Sequence, residues 1–519
     1  MHDKSHPQTS QSQLGLGQFG LNLSSLVVIV AALTLFRSWV AARMGLAPDE
    51  AYYWLWSRFP SGGYYDHPPM IAWWIAASTK LFGDTALGIR ASVVLSVLVT
   101  TIAVYRTAIE LELEQRTAAL AALWLNAMLL VGGLALIATP DSPSLMFWAL
   151  ATWGVARLRR TGEPWLWIVI GLLAGLGCVS KYTNLFFGFG LIVWLVADRK
   201  ARHWLASPWL YAGGIAALVA FLPVILWNME HHWVSFQKQF GRINDGGFTL
   251  RYLGEFFAAQ FGLLNPLIAI FAGLALVRLS KGADRAGRMP MLVLGATIIP
   301  VVLYMLFHSL HDRVQGNWPA PIYPAIAILA AMAAASASHP ENRQSKHWRR
   351  LAYWVAPVGI GLLAIVSLLL ATPVGFALPW RTPVDRLLGW PEFTQQVEKY
   401  RQQVGAGWIA TTDYGLTGLL AFHGPDPDKV QEIVDRERYT FQPTPAALSQ
   451  QPALIVVEEK DAARYPCFRS VTPLAVVDRA VGQRVVQKYQ LFEARGAADD
   501  LLLKGCAQST VPAEAPASP

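Results

Sequence analysis

Two adjacent carboxylates, Asp49 and Glu50, open the segment Pro-Asp-Glu-Ala-Tyr-Tyr-Trp-Leu-Trp just beyond a long apolar run. Asp66 and His67 follow on a turn stiffened by Pro68 and Pro69. Further along, Asp141 stands in Thr-Pro-Asp-Ser-Pro, Lys181 in Ser-Lys-Tyr-Thr-Asn, and Arg242 after a stretch containing Glu230, His231, His232 and Lys238. A carboxylate at a membrane surface can take a proton from an acceptor hydroxyl, or orient it, while nearby cations neutralise a phosphate leaving the other reactant. Those are the two requirements for moving a sugar off a lipid phosphate. Each residue also has a plainer reading. Asp49 suits the N-cap of the short aromatic helix behind it, and Lys181 can snorkel from a span end to the headgroups. Asp66 with His67, His231, His232, His308 and His311 offers ligands of the kind a divalent ion takes, Asp66 being the best single candidate. The competing reading has these histidines facing solvent or bonded to backbone, and no ligand spacing is fixed, so a divalent metal stays an open possibility.

The elements that must position these groups are membrane spans. In 519 residues, 54% are hydrophobic and only 15% charged, a balance that belongs to a membrane protein. About eleven apolar runs between 22 and 372 are long enough, or nearly so, to cross a bilayer. Met70 to Phe82 is shorter and reads as interfacial or re-entrant. Met1 to Gln18 lacks the basic start and cleavage site of a signal peptide, so the first span is expected to stay as an anchor.

With the N-terminus cytoplasmic, Lys and Arg collect in alternate loops, at Arg157, Arg159 and Arg160, at Arg199, Lys200 and Arg202, and at Arg343, Lys346, Arg349 and Arg350. The net charge of +8 is therefore a topology signal and implies no nucleic-acid partner. The carboxylates and cations named above gather on the opposite, extracytoplasmic face. A transporter would be expected to place such groups near the midplane of broken helices in two related halves, and neither pattern nor repeat is present. The chain also carries no phosphate-cradling GxxxxGK[ST] loop and no nucleophile elbow.

The expected layout is a cytoplasmic tail over 1–20, a membrane domain over 21–372, a small extracytoplasmic α/β domain over 373–505 and a disordered tail over 506–519. Strands are expected at Trp408 to Thr412, Ala453 to Glu458, Leu474 to Val477 and Arg484 to Phe492, with helices at Pro391 to Gln403 and Leu416 to His423. Asp413-Tyr414-Gly415 reads as a turn without chemistry. Cys178 reads as a packing residue, whereas Cys467 and Cys506 can pair if their region is extracytoplasmic.

Five ordered motifs carry a resemblance. They are the first-loop Pro-Asp-Glu-Ala-Tyr-Tyr with Tyr-Tyr-Asp-His-Pro-Pro, then Thr-Pro-Asp-Ser-Pro, then Ser-Lys-Tyr-Thr, then Trp227-Asn228 with His232-Trp233-Val234-Ser235-Phe236, and last Gly316-Asn317-Trp318-Pro319-Ala320-Pro321. Over roughly residues 20 to 330 the chain resembles the bacterial branch of the dolichyl-phosphate-mannose protein mannosyltransferase superfamily. That superfamily includes transferases that add aminoarabinose to lipid A and others that add galacturonic acid to lipopolysaccharide.

The resemblance implies a GT-C fold, a polyprenyl-phosphate-linked sugar donor and inversion at the anomeric carbon. It also implies an envelope glycolipid or glycan acceptor, with lipid A or lipopolysaccharide favoured, and a place in the bacterial inner membrane. It implies Asp49 as acceptor-side base or orienting group, with Glu50 supporting it and Asp141 as the second-loop acid. Tyr53 matches a donor-site tyrosine, Lys181 falls in a family-typical segment on the phosphate side, and Asp66 precedes the Pro-Pro turn; the residues by themselves add His67 and Arg242 as candidates for the donor phosphate. Aminoarabinose transferases carry an arginine at the position of Tyr52, a lysine at that of His67 and a histidine near Phe236, which weighs against aminoarabinose as this chain's sugar. A protein O-mannosyltransferase-like enzyme and a non-catalytic transporter of lipid-linked sugar remain the alternatives.

Overall fold

The computed structural model describes residues 21–241, 247–280, 285–339, 342–372, 382–443, 446–462 and 464–506. The tail over 1–20, nearly all of that over 506–519, and Arg242 lie outside the described residues. The chain is largely helical. α1 (Leu23–Arg43) starts at an Asn22 cap whose Oδ1 accepts from the Ser25 N–H at 2.9 Å. It leads through 45–47 into α2 (Pro48–Arg58), where Pro48 takes the first helical position, at which no N–H is needed. α3 (Met70–Phe82) and α4 (Ala86–Glu110) follow, then α5 (Gln115–Ala127), α6 (Leu129–Leu134), α7 (Asp141–Thr161), α8 (Leu166–Ser180) and α9 (Leu185–Ala197). α10 (Pro208–Glu230), α11 (Val234–Phe240), α12 (Arg251–Leu263), α13 (Pro266–Ser280), α14 (Arg285–Ser309), α15 (Tyr323–Ala337) and α16 (Ser345–Ala371) complete the helical body.

Among the described residues, six helices are long and apolar enough to cross a membrane, and α12 with α13, bent by 111°, makes a seventh if taken as one span. Length and composition therefore support a multi-pass protein and fall short of the expected eleven. The reason is local. α8 and α9 have 15 and 13 residues, and the run over 117–135 is divided where Met128 turns extended between α5 and α6.

After α16 the chain forms α17 (Trp390–Gln403), β1 (Trp408–Thr411), α18 (Tyr414–His423), β2 (Val430–Glu432), β3 (Ala453–Glu458), β4 (Phe468–Val481) and β5 (Arg484–Ala497). The sheet order is β2-β1-β3-β5-β4. β1 runs parallel to both β2 and β3, and β5 is antiparallel to β3 and β4. The parallel strands are buried but for the last residue of β3, and the apolar runs of β1 and β3 suit that place, whereas β2 buries Gln431 and Glu432. Cys467 and Cys506 form a disulfide that ties the end of this unit to the start of β4.

α18 packs on α2, and one apolar core joins the two. Tyr52, Tyr53 and Trp56 of α2 share it with Trp390 and Phe393 of α17, Leu416 and Leu420 of α18, and Tyr439. The close approach depends on two glycines. A Cβ on Gly415 would lie 2.6 Å from Pro48 Cβ, and one on Gly418 would lie 2.8 Å from the backbone of Ala51 and Tyr52.

Candidate active site

α2 holds Asp49 and Glu50 one residue apart and sends them in different directions. Glu50 is fully buried. Its Oε1 accepts from Arg90 Nε at 2.7 Å and from the Ala138 N–H at 2.8 Å, and its Oε2 accepts from Arg90 Nη2 at 2.5 Å and from the Ala47 N–H at 2.9 Å. Arg90 spends its other donors on the carbonyls of Ala41, Met44 and Gly45. Both oxygens of Glu50 are thus occupied, and the carboxylate locks α2 to α1, α4 and the approach to α7. Glu50 is expected beside Asp49 as a catalytic or supporting acid, and the contacts it makes are those of a group that positions α2. It also takes the capping role foreseen for Asp49, because α2 begins two residues earlier than an Asp49 cap would set it, with Ala47 as N-cap, and the side chain that reaches back to that cap is Glu50.

Asp49 is open to solvent on one side, and its Oδ1 accepts a hydrogen bond from the Tyr414 hydroxyl at 2.9 Å. The protein crowded around it disfavours the charged form, and this burial pushes its carboxyl up. Tyr414 and Arg438 oppose the shift, while Glu50 and Asp413 add to it. Tyr53, the next residue but three on the helix, is buried with its ring 6.3 Å from that of His67. Burial raises its hydroxyl well above the ordinary tyrosine range, and the charges of Asp49, Asp66 and Asp141 add to that. Tyr53 therefore sits within the combined field of the three acids, which the sequence spreads over three motifs.

Asp141 opens α7, where its charge suits the positive helix end. It is buried, and its Oδ1 pairs with Lys181 Nζ at 2.6 Å while Oδ2 accepts from Asn317 Nδ2 at 2.8 Å. Three of the five motifs meet at this pair. Lys181 retains donors beyond the one given to Asp141, so a phosphate contact is compatible with the pairing.

Asp66 is also buried. Arg438 Nη1 reaches its Oδ2 at 2.8 Å, and the Tyr52 hydroxyl lies 3.1 Å from the same oxygen and from the Arg438 carbonyl. An arginine and a phenol are poor company for a divalent ion, and among the described residues no three His, Cys, Asp or Glu converge on a possible metal position. The histidines are dispersed: His231 Nδ1 contacts the Trp227 carbonyl at 2.8 Å, His311 Nδ1 that of Phe307 at 3.1 Å, and His308 is buried against Trp318. The residues present do not fit a metal at Asp66. Arg242 is outside the described residues, and no position is assigned to it.

The sequence reading missed the far wall of the site. Tyr414, placed in a turn without chemistry, begins α18, with Asp413 as its N-cap accepting from the Leu416 N–H at 2.9 Å. Arg438 lies with its guanidinium 5.0 Å from the Tyr414 ring centre. An aspartate just before an apolar helical run was the available signal for α18. No local signal points to Arg438.

Residues 66–227 match the family model described as dolichyl-phosphate-mannose-protein mannosyltransferase, a segment that includes Asp66, His67, Asp141 and Lys181 and begins after Asp49. A lipid A galacturonosyltransferase of Rhizobium johnstonii is 33% identical over 291 residues, 54% of this chain and 59% of that protein. An undecaprenyl phosphate-alpha-4-amino-4-deoxy-L-arabinose arabinosyl transferase of Pseudomonas fluorescens is 28% identical over 232 residues, 40% of each chain. The chain thus spans about half the length of these curated relatives. The crystal structure of ArnT from Cupriavidus metallidurans bound to undecaprenyl phosphate superposes with a TM-score of 0.60 over 91% of this chain and 98% of that one, at 18% identity, which shows a common fold. Over residues 66–227 the chain is thus similar to the dolichyl-phosphate-mannose-protein mannosyltransferases, and over nearly its whole length it shares the fold of ArnT.

Proposed function

We propose that this chain is an inner-membrane glycosyltransferase. It moves a sugar from a polyprenyl-phosphate donor to lipid A or another part of lipopolysaccharide on the periplasmic face, with inversion. The observation that carries the reading is Asp49: a solvent-reachable carboxylate, raised by its surroundings and held by a single phenol, beside a saturated neighbour. Asp49 takes the proton of the acceptor hydroxyl. The acceptor oxygen attacks the anomeric carbon from the face opposite the phosphate, and the carbon–oxygen bond to phosphate breaks, the phosphate leaving with the electron pair. Lys181, paired with Asp141, which Asn317 holds in turn, neutralises that charge, and Tyr53 and His67 line the donor side.

The donor and acceptor classes draw on the names of the relatives, one a lipid A galacturonosyltransferase and the other an undecaprenyl-phosphate-sugar transferase. The periplasmic assignment rests on the loop charges. A cysteine placed at Trp233, in the loop after α10, should react with a membrane-impermeant reagent in intact spheroplasts; labelling only after lysis would reverse the orientation.

Mass spectrometry of lipid A and lipopolysaccharide from cells lacking this protein, restored with wild type or with Asp49→Asn, tests the activity. A mass increment lost on deletion, regained with wild type and not with Asp49→Asn is the expected result. Transfer retained by a correctly inserted Asp49→Asn would overturn the role of Asp49. Identical spectra from wild-type and deleted cells supplied with the donor would overturn the acceptor class.

A further inference from the structure

Arg37 lies inside α1, six residues before its end, roughly 9 Å below it at the helical rise per residue. It is 6% exposed and points inward, unlike Arg43, which stays at the surface over the Trp39 ring at 4.7 Å. A guanidinium inside a span is costly unless an anion or a set of oxygens answers it. Among the described residues, the other buried arginines each meet at least two oxygens. Arg90 has Glu50 and three carbonyls, Arg436 the carbonyls of Leu502 and Glu432 with the Gln431 side chain, and Arg479 the carbonyls of Asp385 and Leu388 with the Trp390 ring.

Arg37 has one hydrogen bond, from Nη1 to Asn126 Oδ1 at 2.7 Å. Asn126 is itself used up, because its amide donates to Thr101 Oγ1 and to the Ala122 carbonyl, both at 2.9 Å. An amide dipole does not neutralise a cation. The guanidinium lines a shallow, open cleft between α1 and α16, floored by α5 and α6. Its other walls are mainly apolar, with Leu33, Phe36, Leu136, Ile360 and Leu363 among them.

A fixed fork of N–H donors at the head of an otherwise apolar groove between two spans is the complement of an oxyanion with a hydrocarbon tail. We propose that Arg37 and Asn126 form a second lipid site, separate from Asp49, that takes a lipid-borne phosphate with its chain lying along α1 and α16. The phosphate completes the charge balance that Asn126 leaves open, and the tail fills the cleft. This site does not depend on the transferase reading. Two sources carry the same chemistry, a membrane phospholipid and a polyprenyl phosphate.

Native mass spectrometry of the full-length protein, delipidated in detergent and titrated with phosphatidylglycerol, undecaprenyl phosphate or neutral diacylglycerol, tests it. Wild type should retain at least one phosphate lipid in preference to diacylglycerol, and Arg37→Gln should retain it roughly tenfold less, with Arg37→Lys intermediate. Ala364→Phe fills the cleft from α16 without touching the charge and should expel the same lipid, which keeps the test valid if Arg37→Gln fails to insert. An Arg37-dependent fraction seen with phosphatidylglycerol assigns the site to bulk phospholipid, and one confined to undecaprenyl phosphate assigns it to the carrier. Equal retention of diacylglycerol and phosphate lipids, or no change in either variant, would overturn the site.

Discussion

The two ends of the Asp49-Glu50 dipeptide face regions built on opposite principles. Around Glu50 each carboxylate oxygen is used twice, the partner arginine is used up as well, and both are shielded from solvent. Around Asp49 one phenol supplies the only hydrogen bond shown, and solvent reaches the other side. A buried charge with all its partners is a structural rivet, because any change leaves another charge stranded. A raised carboxylate with spare lone pairs can accept a proton and release it again. Adjacent acids in a sequence thus divide into scaffold and chemistry by what surrounds them.

The largest effect should come from breaking the rivet. Glu50→Gln or Arg90→Met strands one buried charge, at a cost of about 3–5 kcal/mol. The expected outcome is loss of folded, inserted protein, measured by monodispersity and thermal unfolding in detergent. Asp49→Asn should unfold at or slightly above the wild-type temperature at neutral pH. The sign follows from the raised carboxyl: folding makes Asp49 harder to ionise, so its contribution to stability falls as pH rises through its folded pKa, and a neutral amide escapes that loss. A Glu50→Gln protein as stable as Asp49→Asn would erase the distinction between the two acids.

Next comes the contact that brings Tyr414 to Asp49. Gly418→Ala places a methyl 2.8 Å from the α2 backbone, which cannot yield as a flexible side chain would, so α18 must lift. A penalty of about 1–3 kcal/mol is expected, with loss of transfer out of proportion to the loss of stability. Gly424, where an added Cβ would meet the Leu420 carbonyl of its own helix, serves as a control away from α2.

Arg438→Gln removes the cation from buried Asp66 and keeps its contact with the Tyr52 hydroxyl. The pair is close and partly screened, so a loss of roughly tenfold in kcat/KM, about 1.4 kcal/mol, is expected without loss of fold. Unchanged kinetics would reduce the C-terminal unit to a cover over α2.

Which parts of this could be read from the chain depends on sequence distance. Asp49, Asp141 and Lys181 were legible because acids and a lysine at span ends are conspicuous against apolar surroundings. β1 and β3 were legible as short apolar runs bounded by turn residues, and α18 as an apolar run, although its start at Asp413 was missed. Tyr414 and Arg438 were not, since they meet Asp49 and Asp66 across 365 and 372 residues and only the packing of α18 on α2 joins them. The inward turn of Glu50 was hidden for the same reason: its partner Arg90 looks like an ordinary charge near the start of a span.

The smallest effect is the most diagnostic. Tyr414→Phe deletes one hydroxyl and keeps the ring against Tyr52 and Arg438, so packing and the approach of α18 should survive. What it removes is the one hydrogen bond that favours ionised Asp49, against burial and the negative charges of Glu50 and Asp413. The carboxyl should therefore rise further. A base works only when deprotonated, so activity falls as pH drops through its pKa, and the acidic limb of the pH–rate profile should move to higher pH in Tyr414→Phe with the plateau rate little changed. Asp413→Asn, which removes a nearby negative charge while keeping a capping side chain, should move the same limb to lower pH. Opposite shifts from two residues of the C-terminal unit would make Asp49 the titrating base and that unit its tuner. A limb that stays put in both variants would mean that the proton is taken elsewhere and that Asp49 acts by orientation alone.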